Sequence, residues 1–327
     1  MNRIKAGIIG GAGYTGGELL RLLLLHPLVE VAFVQSNSNA DKPVHTVHTD
    51  LLGETDLKFA TTHHTDIDVL FLCGGHDAAR KFMAENQLPE NVVVIDLSQD
   101  FRHNANSNFA GRSFVYGLPE LNRELIKPAR SIANPGCFAT CIELALLPLA
   151  AAQQIKSEVH INAVTGSTGA GQALSSTTHF SWRNNNASTY KVFEHQHLLE
   201  INESLKSLQP GLDSEMLFVP QRGNFTRGIM SSAYLKTDLT EAELNDMYNK
   251  YYQSHPFVTI SHSEIDLKQV VNTNRCFIHL AKKEGYVLLT SVIDNLLKGA
   301  SGQAVQNMNL IFGFDEKAGL HLKPSAF

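Results

Sequence analysis

The clearest indication of the fold lies near the start of the chain, in Ile4-Lys5-Ala6-Gly7-Ile8-Ile9-Gly10-Gly11-Ala12-Gly13-Tyr14-Thr15-Gly16-Gly17. Its first six residues are mostly apolar and typical of a short buried strand, and a helical run from Glu18 to Leu25 follows the glycines. A strand, a glycine turn and a helix in this order are what a dinucleotide-binding unit requires. The pattern predicts that a cofactor pyrophosphate binds at the N-terminus of the first helix, which begins near Tyr14.

The glycines themselves fit G-x-G-x-x-G, and a longer register begins one residue earlier. Glycine suits these positions because it permits a tight turn and close approach of the backbone to a pyrophosphate. The residues predicted to bind the cofactor in this turn are Gly10, Gly11, Gly13, Tyr14, Thr15 and Gly16.

The end of the second predicted strand, Val29–Val34, indicates which dinucleotide is bound. A site for NAD usually has Asp or Glu here to hold the ribose 2′-hydroxyl, whereas this chain reads Gln35-Ser36-Asn37-Ser38-Asn39. The hydroxyls of Ser36 and Ser38, with Lys42 nearby, favour a 2′-phosphate and therefore NADP(H). A polar β-turn without this role is the alternative.

Two more apolar runs, Ile67–Leu72 and Val92–Leu97, flank a helical segment from Asp77 to Asn86. Continuous apolar strands that alternate with helices predict a doubly wound parallel sheet, so the first domain is an α/β domain of the Rossmann type. Arg102 follows the second run at the edge where ligands bind. It is a candidate for holding a phosphate or carboxylate of the substrate, and a surface ion pair is the alternative.

A candidate nucleophile stands at the start of another helical run. The chain reads Asn134-Pro135-Gly136-Cys137, and Cys141–Leu147 is apolar and helical in pattern, with Pro148 expected to break or kink that helix. Free N–H groups and the helix dipole favour the thiolate of Cys137, which is the nucleophilic form. Asn134 or a backbone N–H is suited to hold the oxyanion. The alternative is a small buried cysteine.

His195 and His197 are the best prospects for general acid–base catalysis among the 15 histidines. Sequence does not separate the two, and a structural role stays open. A metal site is not expected, because no third ligand lies near them or near Cys73 and His76.

The chain after residue 150 changes character. Its short strands, the glycine-rich turn Thr165–Gly171 and a hairpin from Cys276 to Ser291 predict a mixed α+β domain that is mostly antiparallel. A final helix from Ala300 to Leu310 carries small and apolar residues that suit packing on the first domain.

Composition limits the possible partners. The 327 residues carry a net charge of −5 without a cluster of lysine and arginine, which argues against a nucleic-acid or anionic-membrane partner. No apolar run is long enough to span a bilayer, and the N-terminus lacks a signal-peptide pattern, so we expect a cytoplasmic protein. Its four cysteines are expected to be free thiols.

Taken together, these segments resemble the N-acyl-gamma-glutamyl-phosphate reductases of arginine biosynthesis, a family related to aspartate-semialdehyde dehydrogenase. The resemblance covers nearly the whole chain. It rests on Gly10–Gly16 with Glu18-Leu19, Asp96-Leu97-Ser98, Pro135-Gly136-Cys137, Gly166–Gly171, His195-Gln196-His197, Gly223–Gly228 and Asp294–Ala300.

The resemblance implies NADPH-dependent reduction of N-acetyl-L-glutamyl 5-phosphate to the 5-semialdehyde, with Cys137 as nucleophile and the His195/His197 segment as acid and base. It implies Gly169 and Asn295 near NADP, and Ser167 and Arg227 near the substrate. It also implies an inserted α+β catalytic and dimerisation domain, residues 148–297, within a Rossmann domain of residues 1–147 and 298–327. A homodimer or homotetramer is expected.

Two departures from the family pattern affect the substrate pocket. The chain has Leu199 where many members have proline before the Glu-Ile that follows the histidines, and Gln221-Arg222 where some have histidine. They leave open whether the acyl group is acetyl or succinyl. The alternatives are aspartate-semialdehyde dehydrogenase, which the lack of a histidine after Val219-Pro220 disfavours, and a redox sensor in which Cys137 is oxidised without turnover.

Overall fold

A computed structural model describes residues 3–326 of the chain. Contacts between residues divide it into two compact domains. The first comprises the residues up to Pro135 together with Ala300–His321, and the second comprises Gly136–Gly299 together with the residues from Leu322 onward. No helix in the described part of the chain is long and apolar enough to cross a membrane.

The strands, in chain order, are β1 (Ile4–Ile9), β2 (Val29–Gln35), β3 (Phe59–Ala60), β4 (Val69–Leu72), β5 (Val93–Asp96), β6 (Asn108–Phe109), β7 (Arg112–Ser113), β8 (Val115–Tyr116), β9 (Ser131–Ala133), β10 (Val159–Thr165), β11 (Ser188–Thr189), β12 (Met216–Arg222), β13 (Ile229–Lys236), β14 (Val258–Ser261), β15 (Cys276–Lys283) and β16 (Tyr286–Ile293). The helices are α1 (Tyr14–Leu24), α2 (Ala78–Glu85), α3 (Pro119–Ile126), α4 (Cys137–Ala151), α5 (Phe180–Arg183), α6 (His197–Leu208), α7 (Glu241–Tyr252) and α8 (Gly302–Phe312).

The first domain is built on a parallel sheet with the strand order β3-β2-β1-β4-β5-β9-β8, in which every neighbouring pair is parallel. All residues of β4 and β5 are buried, which explains why β4 is apolar throughout and β5 is apolar as far as Ile95, before Asp96 at its end. The order reverses beside β1, and the loops after β1 and β4 meet at this switch point, where doubly wound sheets bind ligands. The predicted Rossmann-type fold is confirmed.

The last helix belongs to the first domain. Leu297–Ser301 form a π-helical turn that leads into α8, so the helix begins at Gly302 rather than at the predicted Ala300. Within this domain, Asn309 of α8 lies beside His26, with Oδ1 3.0 Å from Nε2. The expectation that the final helix packs on the first domain is confirmed.

The second domain is the predicted α+β domain. Its sheet has the order β11-β12-β10-β13-β16-β15-β14, in which β10–β12 and β14–β15 pair in parallel and the other neighbours are antiparallel. The predicted hairpin is formed by β15 and β16, which turn at Glu284-Gly285. A capping box formed by Thr240 and Glu243 begins α7.

The helix that begins at Cys137 lies on the second sheet. Every residue from Phe138 to Ala150 is buried, and α4 packs against β13, β16 and α6. A helix that is apolar on all sides has to be covered on all sides. The predicted boundary after residue 147 therefore differs from the observed one between Pro135 and Gly136, because the sequence gives no sign of which sheet covers this helix.

α4 continues through Pro148 to Ala151, so this proline does not break the helix as expected. Pro148 has no N–H to donate to the Leu144 carbonyl one turn earlier. The hydroxyl of Tyr252 donates to that carbonyl instead, and the hydroxyl of Tyr248 donates to the Ala145 carbonyl at 2.6 Å. Two tyrosines of α7 thus supply hydrogen bonds at the turn where the proline removes one.

This arrangement predicts a specific loss of stability in Tyr252→Phe. The variant should lower the free energy of unfolding by about 1–3 kcal/mol, because a buried carbonyl loses its donor. The loss should shrink in a Pro148→Ala background, where the new N–H at position 148 can donate to Leu144. Urea unfolding of the four proteins of this double-mutant cycle measures both effects. Equal losses in the two backgrounds would contradict the explanation.

Candidate active site

Most glycines of the first turn are required by close packing. Gly10 has φ of +77°, which favours glycine, and a Cβ on Gly11 would lie 2.1 Å from Val34 Cγ1. A Cβ on Gly16 would lie 2.7 Å from Gly11 Cα. Gly13 differs, because the nearest atom to its Cβ position would be 3.8 Å away. The turn therefore leaves open space at the glycine where a pyrophosphate is expected to approach.

The N-terminus of α1 fits an anion. Gly13 is its N-cap residue and provides no side-chain oxygen, and the first turn has no acidic residue. The N–H groups of Tyr14 and Thr15 therefore meet no carboxylate of their own helix, and the dipole favours negative charge. The uncapped N-terminus of α1 therefore supports dinucleotide binding in addition to the glycine pattern.

His48 packs against the glycine turn, although it was not a candidate from the sequence. Its Nε2 lies 2.7 Å from the Gly11 carbonyl oxygen, and its ring fills the position that a Cβ on Gly17 would take. The side chain is buried and lies edge-on to Phe59. No local pattern around His48 could have revealed this contact, because Gly11 lies far away in sequence.

The end of β2 has the polar character expected for a 2′-phosphate site. Ser36 and Ser38 lie with their hydroxyl oxygens 3.5 Å apart, and Asn39 donates to Ser38 Oγ at 3.2 Å. Lys42 reaches Asn39 Oδ1 at 3.5 Å. Hydroxyls, an amide and an ammonium group thus lie together where an NAD site would have a carboxylate.

Arg102 and Asn134 lie at the ends of neighbouring strands of the first sheet and contact each other. Arg102 donates from Nε to the Asn134 carbonyl at 2.8 Å and from Nη2 to the Leu97 carbonyl at 3.0 Å. The Asn134 amide donates to Ala300 and accepts from Asn307. These bonds hold the strand ends in place, and the predicted roles of both residues in substrate and oxyanion binding stay predictions.

Cys137 is the first residue of α4 and is half-buried. The N-cap, Gly136, offers no side-chain oxygen to the helix N–H groups. Gly299 lies against the cysteine, since a Cβ there would fall 2.8 Å from Cys137 Cβ. Burial raises the pKa of the Cys73 and Cys141 thiols well above the usual range, so those thiols stay protonated. Cys137, in contrast, lies at a helix N-terminus, where the N–H groups and the dipole favour negative charge.

His197 and Glu200 reach this helix end from α6. A Cβ on Gly136 would lie 2.5 Å from His197 Nε2, so the imidazole lies directly against the residue before Cys137. Glu200 Oε2 accepts a hydrogen bond from the Gly136 N–H at 2.8 Å, and Glu200 Oε1 lies 3.9 Å from His197 Nε2. Glu200 is buried and was missed by the sequence analysis. Its spacing of three residues after His197 on a helix was the available signal.

His195 lies in an aromatic environment beside His197. Its ring is within 5.7 Å of the Phe138, Tyr190 and Phe218 rings, and its Nδ1 accepts from the His197 N–H at 3.2 Å. Burial, followed by the charges of His197 and Lys191, lowers the pKa of His195 to about 3. A histidine that stays neutral at neutral pH is a poor general acid, whereas His197 lies against the residue before Cys137, so His197 is the better candidate for that role.

The second glycine turn is packed against the segment 223–228. A Cβ on Gly166 would lie 2.4 Å from the Thr226 carbonyl oxygen, and the Ser167 N–H donates to the Phe225 carbonyl at 2.8 Å. Asn295 fastens this turn, because its amide donates to Thr168 Oγ1 at 3.0 Å and accepts from Gly228 at 2.7 Å. The predicted ligand contacts of Ser167, Gly169 and Asn295 stay predictions.

Arg227 is held by a buried carboxylate. Its Nε and Nη2 donate to the two oxygens of Asp294 at 3.0 and 3.1 Å, and Asp294 is fully buried. Asp294 also accepts from the N–H groups of Asn272 and Leu296. This bidentate pair fixes the guanidinium plane, and the predicted substrate contact of Arg227 stays a prediction.

Among residues 3–326, no three His, Cys, Asp or Glu side chains are grouped so that they could hold a metal ion.

Two family models match the chain. The model described as "Semialdehyde dehydrogenase, NAD binding domain" matches residues 5–129, and the model described as "Semialdehyde dehydrogenase, dimerisation domain" matches residues 137–295. The fold and these matches define an oxidoreductase of the semialdehyde dehydrogenase class with an NAD(P)-binding domain.

Relatives that match over their full length show which family within this class the chain belongs to. The N-acetyl-gamma-glutamyl-phosphate reductase of Flavobacterium johnsoniae is 55% identical over 324 residues, which cover 99% of this chain and 100% of that protein. The enzyme of the same name from Parabacteroides distasonis is 56% identical over 325 residues, with coverage of 99% and 100%. The chain belongs to the N-acetyl-gamma-glutamyl-phosphate reductase family, as the motif resemblance predicted.

Solved structures agree on the fold. Aspartate semialdehyde dehydrogenase II from Vibrio cholerae superposes with a TM-score of 0.73 at 16% identity, covering 95% of this chain and 99% of that one. Aspartate semialdehyde dehydrogenase with NADP from Candida albicans gives 0.68 at 15% identity, covering 97% and 99%. At these identities the likeness concerns the fold alone.

The surroundings of His195 predict how stability depends on pH. Its folded pKa of about 3 lies below the value near 6.5 of an unfolded histidine. As the pH falls from about 6.5 toward 3, the unfolded state takes up a proton that the folded state does not, so stability is lost, by at most about 1.4 kcal/mol per pH unit.

His195→Asn should therefore lose less stability than the wild type between pH 7 and pH 5, measured as the shift of the urea midpoint. His76→Asn, which changes an exposed histidine of the first domain, is the control and should keep the wild-type dependence. Identical pH dependences of His195→Asn and the wild type would show that His195 is not held neutral.

Proposed function

We propose that the chain catalyses the NADPH-dependent reduction of N-acetyl-L-glutamyl 5-phosphate to N-acetyl-L-glutamate 5-semialdehyde, a step of arginine biosynthesis, through a thioester on Cys137. One observation carries the proposal. In a chain of this family, a half-buried cysteine begins α4, and His197 lies against the N-cap residue of that helix.

The proposed reaction uses the thiolate first. Cys137 Sγ attacks the acyl carbon, the bond from that carbon to the phosphate oxygen breaks, and inorganic phosphate leaves a thioester behind. The first-turn N–H groups of α4 are suited to hold the carbonyl oxygen while it carries negative charge. NADPH, when bound, supplies the hydride that reduces the thioester. His197 gives a proton to the reduced oxygen and takes it back as the carbon–sulfur bond breaks and the aldehyde forms.

Glu200 is proposed to position His197. Its carboxylate is bound to the Gly136 N–H and lies 3.9 Å from the imidazole, so it is suited to hold the ring beside the cysteine. His195 is proposed to pack beside His197 as a neutral ring and to orient the start of α6 through its bond to the His197 N–H.

The first domain is proposed to prefer NADP over NAD. The open space at Gly13, the uncapped N-terminus of α1 and the hydroxyls of Ser36 and Ser38 all fit a dinucleotide with a 2′-phosphate. We also propose that the protein is a cytoplasmic homodimer or homotetramer, which the match to a dimerisation domain supports.

An assay in the reverse direction tests this function. The wild type, given N-acetyl-L-glutamate 5-semialdehyde, phosphate and NADP⁺, should reduce NADP⁺ in proportion to phosphate, and should not do so with aspartate semialdehyde. Cys137→Ser should abolish turnover, because the hydroxyl is a far weaker nucleophile. His197→Asn should lower kcat by about 10²- to 10⁴-fold, the usual contribution of a general acid and base.

Matched variants distinguish this from the other candidates. His195→Asn should reduce kcat much less than His197→Asn. Turnover by Cys137→Ser near the wild-type rate would refute the thioester mechanism. Cofactor binding without turnover of either semialdehyde would favour a redox sensor, and a preference for aspartate semialdehyde would favour the other dehydrogenase.

A further inference from the structure

A row of rings in the second domain leads from His197 to Arg222. His197 lies 4.6 Å from His195, which lies 5.7 Å from Tyr190, measured between ring centroids. The Cζ atom of Arg222 stands over the Tyr190 ring at 4.6 Å from its centroid. Arg222 is the last residue of β12, and its register partner on β11 is Ser188.

Arg222 differs from the other arginines of this region in what its guanidinium contacts. Arg183 is buried and donates to the carbonyl oxygens of Thr177 and Arg222 at 3.2 and 2.8 Å. Arg227 is paired with Asp294, as described above. Arg222 interacts with Tyr190, and its buried Nε atom has no hydrogen-bond partner among the residues that the structure describes.

The charges around Arg222 are uncompensated. Burial first, and then the charge of Arg222, lowers the pKa of Arg183, so the two guanidinium groups repel each other. The charge of Lys191 acts on the His195 ring together with that of Arg222, and its ammonium group bonds the neutral Gln196 amide. Over residues 3–326 no carboxylate forms an ion pair with Arg222. A place where cations accumulate without a counter-ion is stabilised when an anion binds.

We propose that Arg222 binds a carboxylate of the N-acylated glutamyl substrate and so selects that substrate beside Cys137. This inference rests on the proposed function. A guanidinium group offers two parallel N–H donors to a carboxylate, and stacking on Tyr190 holds the plane of those donors in place. Two carboxylates have this chemistry: the α-carboxylate of the glutamyl group and the terminal carboxylate of a longer acyl group such as succinyl.

The test compares Arg222→Gln with the wild type in the reverse assay, using N-acetyl- and N-succinyl-L-glutamate 5-semialdehyde side by side. Losing a charge-assisted contact should raise KM for the semialdehyde about 10- to 100-fold while kcat changes by less than about threefold. Arg222→Lys keeps the charge without the planar donors, so its KM should lie between those of the wild type and Arg222→Gln. Arg275→Gln, which removes an exposed arginine of the same domain, should leave KM unchanged.

Calorimetric titration with N-acetyl-L-glutamate and N-succinyl-L-glutamate gives a second readout that needs no turnover. A weaker affinity of Arg222→Gln for both compounds supports binding of the α-carboxylate, and a loss confined to the succinyl compound supports binding of the acyl carboxylate. An unchanged affinity and KM, or a rise in KM for phosphate alone, would overturn the proposal. Absence of turnover by the wild type with both semialdehydes would instead refute the proposed function.

Discussion

The hydrogen bond from the Gly136 N–H to the Glu200 carboxylate connects the two helices on which the proposed chemistry depends. α4 begins at Cys137 without a side-chain cap of its own, and a buried carboxylate from α6 supplies the acceptor that this helix end lacks. The same carboxylate lies beside His197. One buried acid therefore caps the helix of the thiol and lies beside the imidazole.

The two histidines have different surroundings in this arrangement. His195 lies among aromatic rings and positive charges, which keep it neutral, whereas His197 lies toward the carboxylate. Two histidines separated by a single residue thus have different environments and different proposed roles. The two arginines also differ in their surroundings. Arg227 is paired with Asp294, whereas Arg222 has no carboxylate partner among the described residues, so its charge is not compensated.

The elements that could be predicted from the sequence are those with a local pattern. The strand, turn and helix at Ile4–Leu24, the helix that begins at Cys137 and the hairpin of β15 and β16 were all readable, because their signals lie within a few residues. Contacts between distant residues were not. Four features depend on tertiary packing in this way. They are the contact of Glu200 with Gly136, the contact of His48 with Gly11, the hydrogen bonds from the two tyrosines near Pro148, and the covering of α4 by the second sheet. Arg227 was identified as a candidate site residue from the sequence, but its pairing with Asp294 was not predicted.

The most direct test of the central claim is to look for the acyl group on Cys137. The protein would be mixed with N-acetyl-L-glutamyl 5-phosphate without NADPH, quenched in acid and digested for mass spectrometry. The account predicts an N-acetylglutamyl adduct on the peptide that contains Cys137, which hydroxylamine removes and which is absent in Cys137→Ser. Release of phosphate with no adduct on that peptide, or an adduct on another residue, would contradict it.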